Sequence, residues 1–158
     1  MIKGISVRKI QKEDIPRCGA ILRRLPQWFG IEASILEYEQ NLRALDGYVA
    51  ERDKSIVGFV GLKRYGDFSI EIDVVGVVPD LRRSGIGRRL LEHIEEHATT
   101  ASTRLLHMKT LAPSDPDKNY ADTRAFWEAC GYIPMDAHEL WGNENPCQVM
   151  VKPFGRST

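Results

Sequence analysis

Apolar and polar residues alternate from Ile5 to Ile10, the two-residue period of a half-buried strand. The period then changes. Ile15, Cys18, Ile21, Leu22 and Leu25 fall at helical spacing, with Asp14 placed as a cap, Pro16 near the first turn and Pro26 at the end. Gln27–Gly30 is a loop with two large aromatics, Trp28 and Phe29, and a second helix is predicted over 31–45, closed by Asp46–Gly47. Strands follow over 48–51, 56–62 and the β-branched run 68–78, with turns at 52–54 and 65–67 and a stop at Pro79. Asp53–Lys54 reads as a hairpin turn, although the stronger Asn-Gly signal is missing.

Beyond Pro79, Ile86, Leu90, Leu91 and Ile94 form the apolar stripe of a helix over 86–98. A strand at 105–111 and a polar, Pro-rich loop at 112–119 come next. A short helix is predicted over 122–130, with Ala125, Phe126 and Ala129 as its apolar face and Gly131 as its C-cap. A strand begins at Tyr132–Ile133, a turn covers 143–146, and a last strand spans 147–151. The order β-α-α-β-β-β-α-β-α-β-β holds a three-strand meander and one β-α-β crossover. It predicts one α+β domain over 1–158: a mixed, mostly antiparallel sheet with one parallel pair and helices on both faces.

Composition narrows the classes. The 158 residues can bury a core without disulfides or metals. Basic and acidic residues balance at 22 each, which argues against a general nucleic-acid binder. Cys18, Cys130 and Cys147 lack the spacing of a disulfide framework or zinc site and are predicted as buried thiols in a reducing compartment. The N-terminus does not read as a signal peptide, and no apolar run approaches the ~18 residues of a membrane span. The expectation is a soluble, cytoplasmic protein with no membrane partner.

The chemistry concentrates where the β-branched strand runs into a helix, from Val74 to Leu91. Gly85 and Gly87 remove side chains where the backbone must turn or meet a ligand. The first amides of the helix have no partners of their own, and the helix dipole adds positive potential there. Arg82, Arg83, Arg88 and Arg89 add charge. A lone GxG would be an ordinary turn before a solvated basic face; four flanking arginines favour a pyrophosphate site. The Walker and dinucleotide-binding fingerprints are both absent.

Arg82-x-x-Gly85-x-Gly87 is similar to the R/Q-x-x-G-x-G/A motif of the GNAT N-acetyltransferases, in its usual place between strand and helix. Val77-x-Pro79 resembles the V-x-P strand end of that family, and Tyr120–Tyr132 resembles its second signature, N-x-x-A-x-x-F-Y-x-x-x-G-F. The resemblance implies acetyl-coenzyme A as co-substrate. Amides of Arg83, Ser84, Gly85, Ile86, Gly87 and Arg88, with Arg82, would hold the pyrophosphate. Backbone groups of Val75, Gly76 and Val77 would pair with pantetheine, which enters where the parallel strands splay apart, and an amide near Val77 would polarise the thioester carbonyl. Tyr120 and Phe126 would lie along the cofactor's outer arm. Tyr120 stands where relatives often have Asn, a contact Asn119 could supply instead.

Amine acetylation needs a base for the amine proton and is helped by an acid for the leaving thiolate. Strand alternation places Glu71, Asp73, Val75 and Val77 on one face. Glu71, eleven residues before Arg82, matches the general-base glutamate of the histone-acetyltransferase branch, helped if burial raises its pKa; Asp73, nearer the thioester end, is the alternative. Both also read as strand carboxylates in ion pairs. Where many relatives carry an acid tyrosine this chain has Trp127, leaving Tyr120 or Tyr132 as candidates, or an unassisted thiolate. His93 and His97 share a helix face without an acidic third ligand, so no metal is expected, and His107 faces the strand gap. Trp28, Phe29 and Trp141 are either core or acceptor-pocket walls.

The resulting expectation is acetyl transfer to a primary amine, on a small molecule or a peptide, by direct attack in a ternary complex. A catalytically weak CoA-binding module and a nucleotide-phosphate binder are the competing readings. Homodimerisation stays open.

Overall fold

The structure is a computed structural model, and it describes residues 4–111, 118–138, 140–141 and 147–155. Among the described residues, seven strands and four α-helices follow one another in the predicted order: β1 (Ile5–Lys9), α1 (Ile15–Arg23), α2 (Glu32–Leu42), β2 (Gly47–Arg52), β3 (Ser55–Tyr65), β4 (Ser69–Val77), α3 (Ile86–His97), β5 (Leu105–Leu111), α4 (Lys118–Ala129), β6 (Ile133–His138) and β7 (Cys147–Pro153). The strands lie in the order β1-β2-β3-β4-β5-β7-β6. The sheet is mixed and mostly antiparallel, with β4 and β5 as its parallel pair. The chain divides into two compact units, Met1–Lys63 with Ile72–Thr99, and Arg64–Glu71 with Thr100–Thr158. Among the described residues no helix is long and apolar enough to cross a membrane.

In the first unit, β2 and β3 form a hairpin whose turn residues, Asp53 and Lys54, both have positive φ, +50° and +65°. Such a pair of left-handed residues matches the right-handed twist of two strands, so the weak sequence signal still makes the turn. Neighbouring β3 residues face opposite ways. A Cβ on Gly58 would meet Ile86 and Leu90 of α3, at 3.0 and 3.5 Å. Phe59, fully buried, lies on the other side. There a Cβ on Gly76 would stand 2.9 Å from the Phe59 ring and 3.2 and 3.4 Å from Leu22 and Ile21 of α1. A Cβ on Gly61 would meet Leu42 of α2 at 2.7 Å. Helix α3 therefore covers one face of this unit and α1 and α2 the other, with glycines where they press closest. The predicted stripes of α1 and α3 are the buried ones.

Asp14 does not cap α1 with its side chain. Its carboxylate takes hydrogen bonds from the Gln11 amide at 2.7 Å and the Arg8 guanidinium at 2.8 and 2.9 Å. A buried carboxylate gains more from a two-pronged guanidinium than from one helix amide. The Arg8 contact holds its pKa low against the opposing effect of burial.

In the second unit, β7 pairs along the whole of β5, from Leu105↔Pro153 to Leu111↔Cys147, and β6 pairs with β7. Helix α4 begins at Lys118, earlier than predicted, and its buried residue is Trp127 rather than Ala125, Phe126 or Ala129. Trp127 is 2% exposed and stands edge-on to Tyr132 and Phe126, with ring centroids 4.9 and 5.5 Å away. An indole removes far more apolar area from water than two alanine methyls, so it sets the helix's rotation. Gly131, at φ +97°, ends α4 as expected: its amide donates to Glu128 and that of Tyr132 to Trp127, each at 3.0 Å. Cys18 and Cys147 are buried, but Cys130, at the end of α4, is only half-buried. Of the loop expected over 112–119, residues 118 and 119 belong to α4, and 112–117 lie outside the described residues, as does the turn over 143–146.

Candidate active site

The arginine-glycine loop belongs to the first unit. After β4, Pro79–Leu81 makes one 3-10 turn, Arg82 is extended, and α3 starts at Ile86. Arg83 and Gly85 are both left-handed, at φ +63° and +94°. Gly85 is the N-cap, and no side chain caps the helix. A left-handed residue followed by a right-handed helix turns successive amides toward one side, a concavity that suits anions. Gly85 adopts this φ without the Cβ clash that any other residue would bring. Ile86 is buried and fixes the helix start against the sheet, while Arg82, Arg83, Gly85 and Arg88 are exposed. The Ser84 hydroxyl donates to the Leu81 carbonyl and braces the turn. The helix amides and the dipole meet there in a stretch flanked by arginines, groups of the kind that suit an anion such as a diphosphate.

Arg82 has a further contact. Its guanidinium carbon lies 4.1 Å from the centroid of the Trp28 ring, a cation–π geometry. Nothing in the residue pattern pointed to a meeting of Trp28, in the loop after α1, with this arginine.

Along β4 the exposure alternates from Asp73 onward. Asp73, Val75 and Val77 are half-buried, and Val74 and Gly76 are buried. Gly76 turns toward Phe59, Leu22 and Ile21 rather than toward the half-exposed face. Asp73 accepts a hydrogen bond from the Asn41 side chain at 3.2 Å and lies 3.5 Å from the Lys63 ammonium. Its carboxylate is 12% exposed.

Glu71 lies in the second unit and departs from the half-exposed row. It is 4% exposed. The Tyr65 hydroxyl donates to Oε1 at 2.7 Å, and the Lys109 ammonium meets Oε2 at 2.6 Å. Burial pushes this carboxyl's pKa up. The hydrogen bonds from Lys109 and Tyr65, with the Lys109 charge, outweigh burial and leave it below the ordinary carboxylate value. The expectation that burial raises the Glu71 pKa is therefore corrected: the cation that compensates the buried charge also lowers its basicity. Glu71 and His107 are the last matched positions of the parallel register, which runs over Ser69↔Leu105, Ile70↔Leu106 and Glu71↔His107. His107 stacks obliquely 5.6 Å from Tyr65, and burial, with the nearby Lys109, lowers its pKa. Neither Tyr65 nor Lys109 was legible as a partner of Glu71.

The α4 candidates belong to the second unit as well. Asn119, Tyr120 and Phe126 are half-buried on that helix, and the Asn119 carbonyl accepts from the Thr123 hydroxyl at 2.9 Å. Tyr132 is buried, at 4% exposure, against Trp127. His93 and His97 stack with ring centroids 4.1 Å apart, and His93 also meets Tyr48 at 4.6 Å. Among the described residues no three His, Cys, Asp or Glu side chains gather as metal ligands.

Comparison with solved structures places the fold. The ribosomal-protein-S18-alanine N-acetyltransferase of Escherichia coli superposes with a TM-score of 0.77 at 17% identity, over 98% of this chain and 96% of that one. An aminoglycoside 6'-N-acetyltransferase complexed with coenzyme A gives 0.76 at 18% identity, over 97% and 99%. The PaiA N-acetyltransferase of Thermoplasma acidophilum, in complex with coenzyme A, gives 0.73 at 16%, over 95% and 99%. At such identities the likeness is one of fold. No curated protein sequence matches the chain. The family model described as the acetyltransferase (GNAT) domain matches residues 44–134, more than half of the sequence, including the arginine-glycine loop and all of α4. The chain belongs to the GNAT acetyltransferase family.

Proposed function

We propose that the protein transfers the acetyl group of acetyl-CoA to a primary amine, on a small molecule or a peptide, by direct attack in a ternary complex. The observation that carries this reading is the turn into α3, where left-handed Arg83 and Gly85 precede a helix with no side-chain cap. Amides of Arg83 to Arg88 and the Arg82 guanidinium bind the diphosphate. The half-exposed backbone of Val75 to Val77 orients the pantetheine arm. Acetyl-CoA supplies the activated thioester. Two such relatives of fold bear names of amine acetylation, on a ribosomal-protein alanine and on an aminoglycoside, and two were solved with coenzyme A.

Of the two carboxylates, Asp73 suits proton acceptance better. It shares the half-exposed row with Val75 and Val77, and two of its partners, Asn41 and Lys63, stand at 3.2 and 3.5 Å, farther than those of Glu71. Both oxygens of Glu71 are engaged at 2.6–2.7 Å, so Glu71 serves as a fixed negative charge. On the family resemblance, Tyr120 of α4 is the candidate to return a proton to the thiolate, with Asn119 and Phe126 as candidate cofactor contacts; Tyr132 is buried against Trp127.

Thiol release from acetyl-CoA, followed across a panel of peptide N-termini, lysine peptides, polyamines and aminoglycosides, tests the proposal. Amine-dependent release supports it. Tight coenzyme A binding without release for any amine would replace it with a CoA-binding module.

A further inference from the structure

Two contacts in the first unit join the end of α1 and its following loop to the turn that opens the diphosphate loop. The Arg24 guanidinium lies 3.7 Å from the Asp80 carboxylate. Both side chains are largely exposed, so this ion pair contributes little. The second contact is the Arg82 guanidinium over the face of Trp28, 4.1 Å from its centroid. Trp28 is itself held. Its amide and that of Phe29 both donate to the Leu25 carbonyl, at 3.1 and 2.9 Å, and Leu25 is buried. The Phe29 ring in turn stands edge-on to Tyr38 of α2, 5.8 Å away. The backbone that carries the indole is thus fixed by the fold, and the arginine is the long, rotatable partner.

An arginine on a flexible stem gives up rotamer freedom when it grips an anion, which weakens the contact unless its position is already set. A guanidinium resting on an aromatic face keeps its in-plane N–H donors available, because the cation–π contact uses the plane and not the edge. Resting on the ring and gripping the phosphate are therefore compatible.

We infer that Trp28 is a positioning residue for acetyl-CoA: it holds the Arg82 guanidinium ready for the diphosphate. The inference rests on the acetyl-CoA reading above and goes beyond it, because Trp28 itself lies outside the arginine-glycine loop.

The test compares wild type, W28F and W28L by calorimetry, with coenzyme A and with pantetheine, which lacks the diphosphate; thermal melting checks that each variant folds. Phenylalanine keeps an aromatic face, and leucine keeps apolar bulk without one. W28L is expected to weaken coenzyme A binding by about fivefold, the size of a partly exposed cation–π contact. W28F should stay within about twofold of wild type, and pantetheine binding should be alike in all three. Coenzyme A binding that is unchanged in W28L, or an equal loss for coenzyme A and pantetheine, would overturn the inference while leaving the acetyl-CoA reading intact. Failure of wild type to bind coenzyme A would instead remove that reading, and this inference with it.

Discussion

The Lys109 ammonium sits 2.6 Å from a Glu71 carboxylate oxygen, and the Tyr65 hydroxyl 2.7 Å from the other. The side chain of Glu71 is 5% exposed and that of Lys109 29%. The pair is buried on the acid side and open on the basic side. Removing the base leaves a charge that water cannot reach.

Lys109→Met should therefore lower stability by about 2 kcal/mol, toward the low end for a broken buried pair because Tyr65 still donates. The pH dependence follows from the lowered pKa of Glu71. A carboxyl whose folded pKa lies below its unfolded value stabilises the fold above the unfolded pKa, about 4.3 for Glu. That contribution fades as pH falls through the lower, folded value. Wild type should thus lose part of its stability in acid below about pH 4, and Lys109→Met should show a shallower acid limb. Urea unfolding at a series of pH values measures both; parallel acid limbs would contradict the assignment.

Gly85→Asp should abolish coenzyme A binding in a folded protein. The substitution places a Cβ at φ +94° and a negative charge where the diphosphate would sit. Gly85→Ala separates the two effects: it should cost about 1 kcal/mol of stability through the left-handed backbone, with a smaller loss of affinity. Calorimetry with coenzyme A and thermal melting read the two quantities. Normal affinity in a folded Gly85→Asp protein would remove the loop from the cofactor site.

Asp73→Asn should reduce turnover at least tenfold with little change in the KM for acetyl-CoA, and should erase the acidic limb of the kcat profile. Glu71→Gln should act mainly on stability and leave the shape of that profile in place. The opposite pattern would return the base role to Glu71.

Gly76→Ala tests the packing beneath the half-exposed row of β4. The new methyl would stand 2.9 Å from the fully buried Phe59 ring and 3.2 Å from Leu22, so one of them must move. A loss of about 1–3 kcal/mol is expected in chemical denaturation, with the enzyme's remaining activity reduced in step. An alanine variant as stable as wild type would show that the strand and α1 can separate at no cost.

Much of this was legible in the sequence because it is local. Gly85 announces the turn into α3, and Gly131 announces the end of α4. Each acts through its own backbone within a few residues. The partners of Glu71 were not legible. Lys109 lies 38 residues away and meets it across the parallel pairing of β4 and β5. Periodicity names the face of a strand but not the side chain waiting opposite. The face of α4 was misread for a related reason. Helical spacing treats Ala125, Phe126 and Ala129 as equals, whereas Trp127 has Tyr132 to pack against and takes the buried position. The contact of Trp28 with Arg82 was hidden in the same way, because loops have no period to follow.

Strand β6 ends the sheet order, and all six of its side chains are exposed, Ile133 and Met135 among them. Such a border would ordinarily invite another chain to zip on. Pro134 has no amide to offer, and the ladder shifts register between Pro134 and Ala137. An incoming strand would find its hydrogen bonds out of step, a built-in guard against fibrous growth in a concentrated cell.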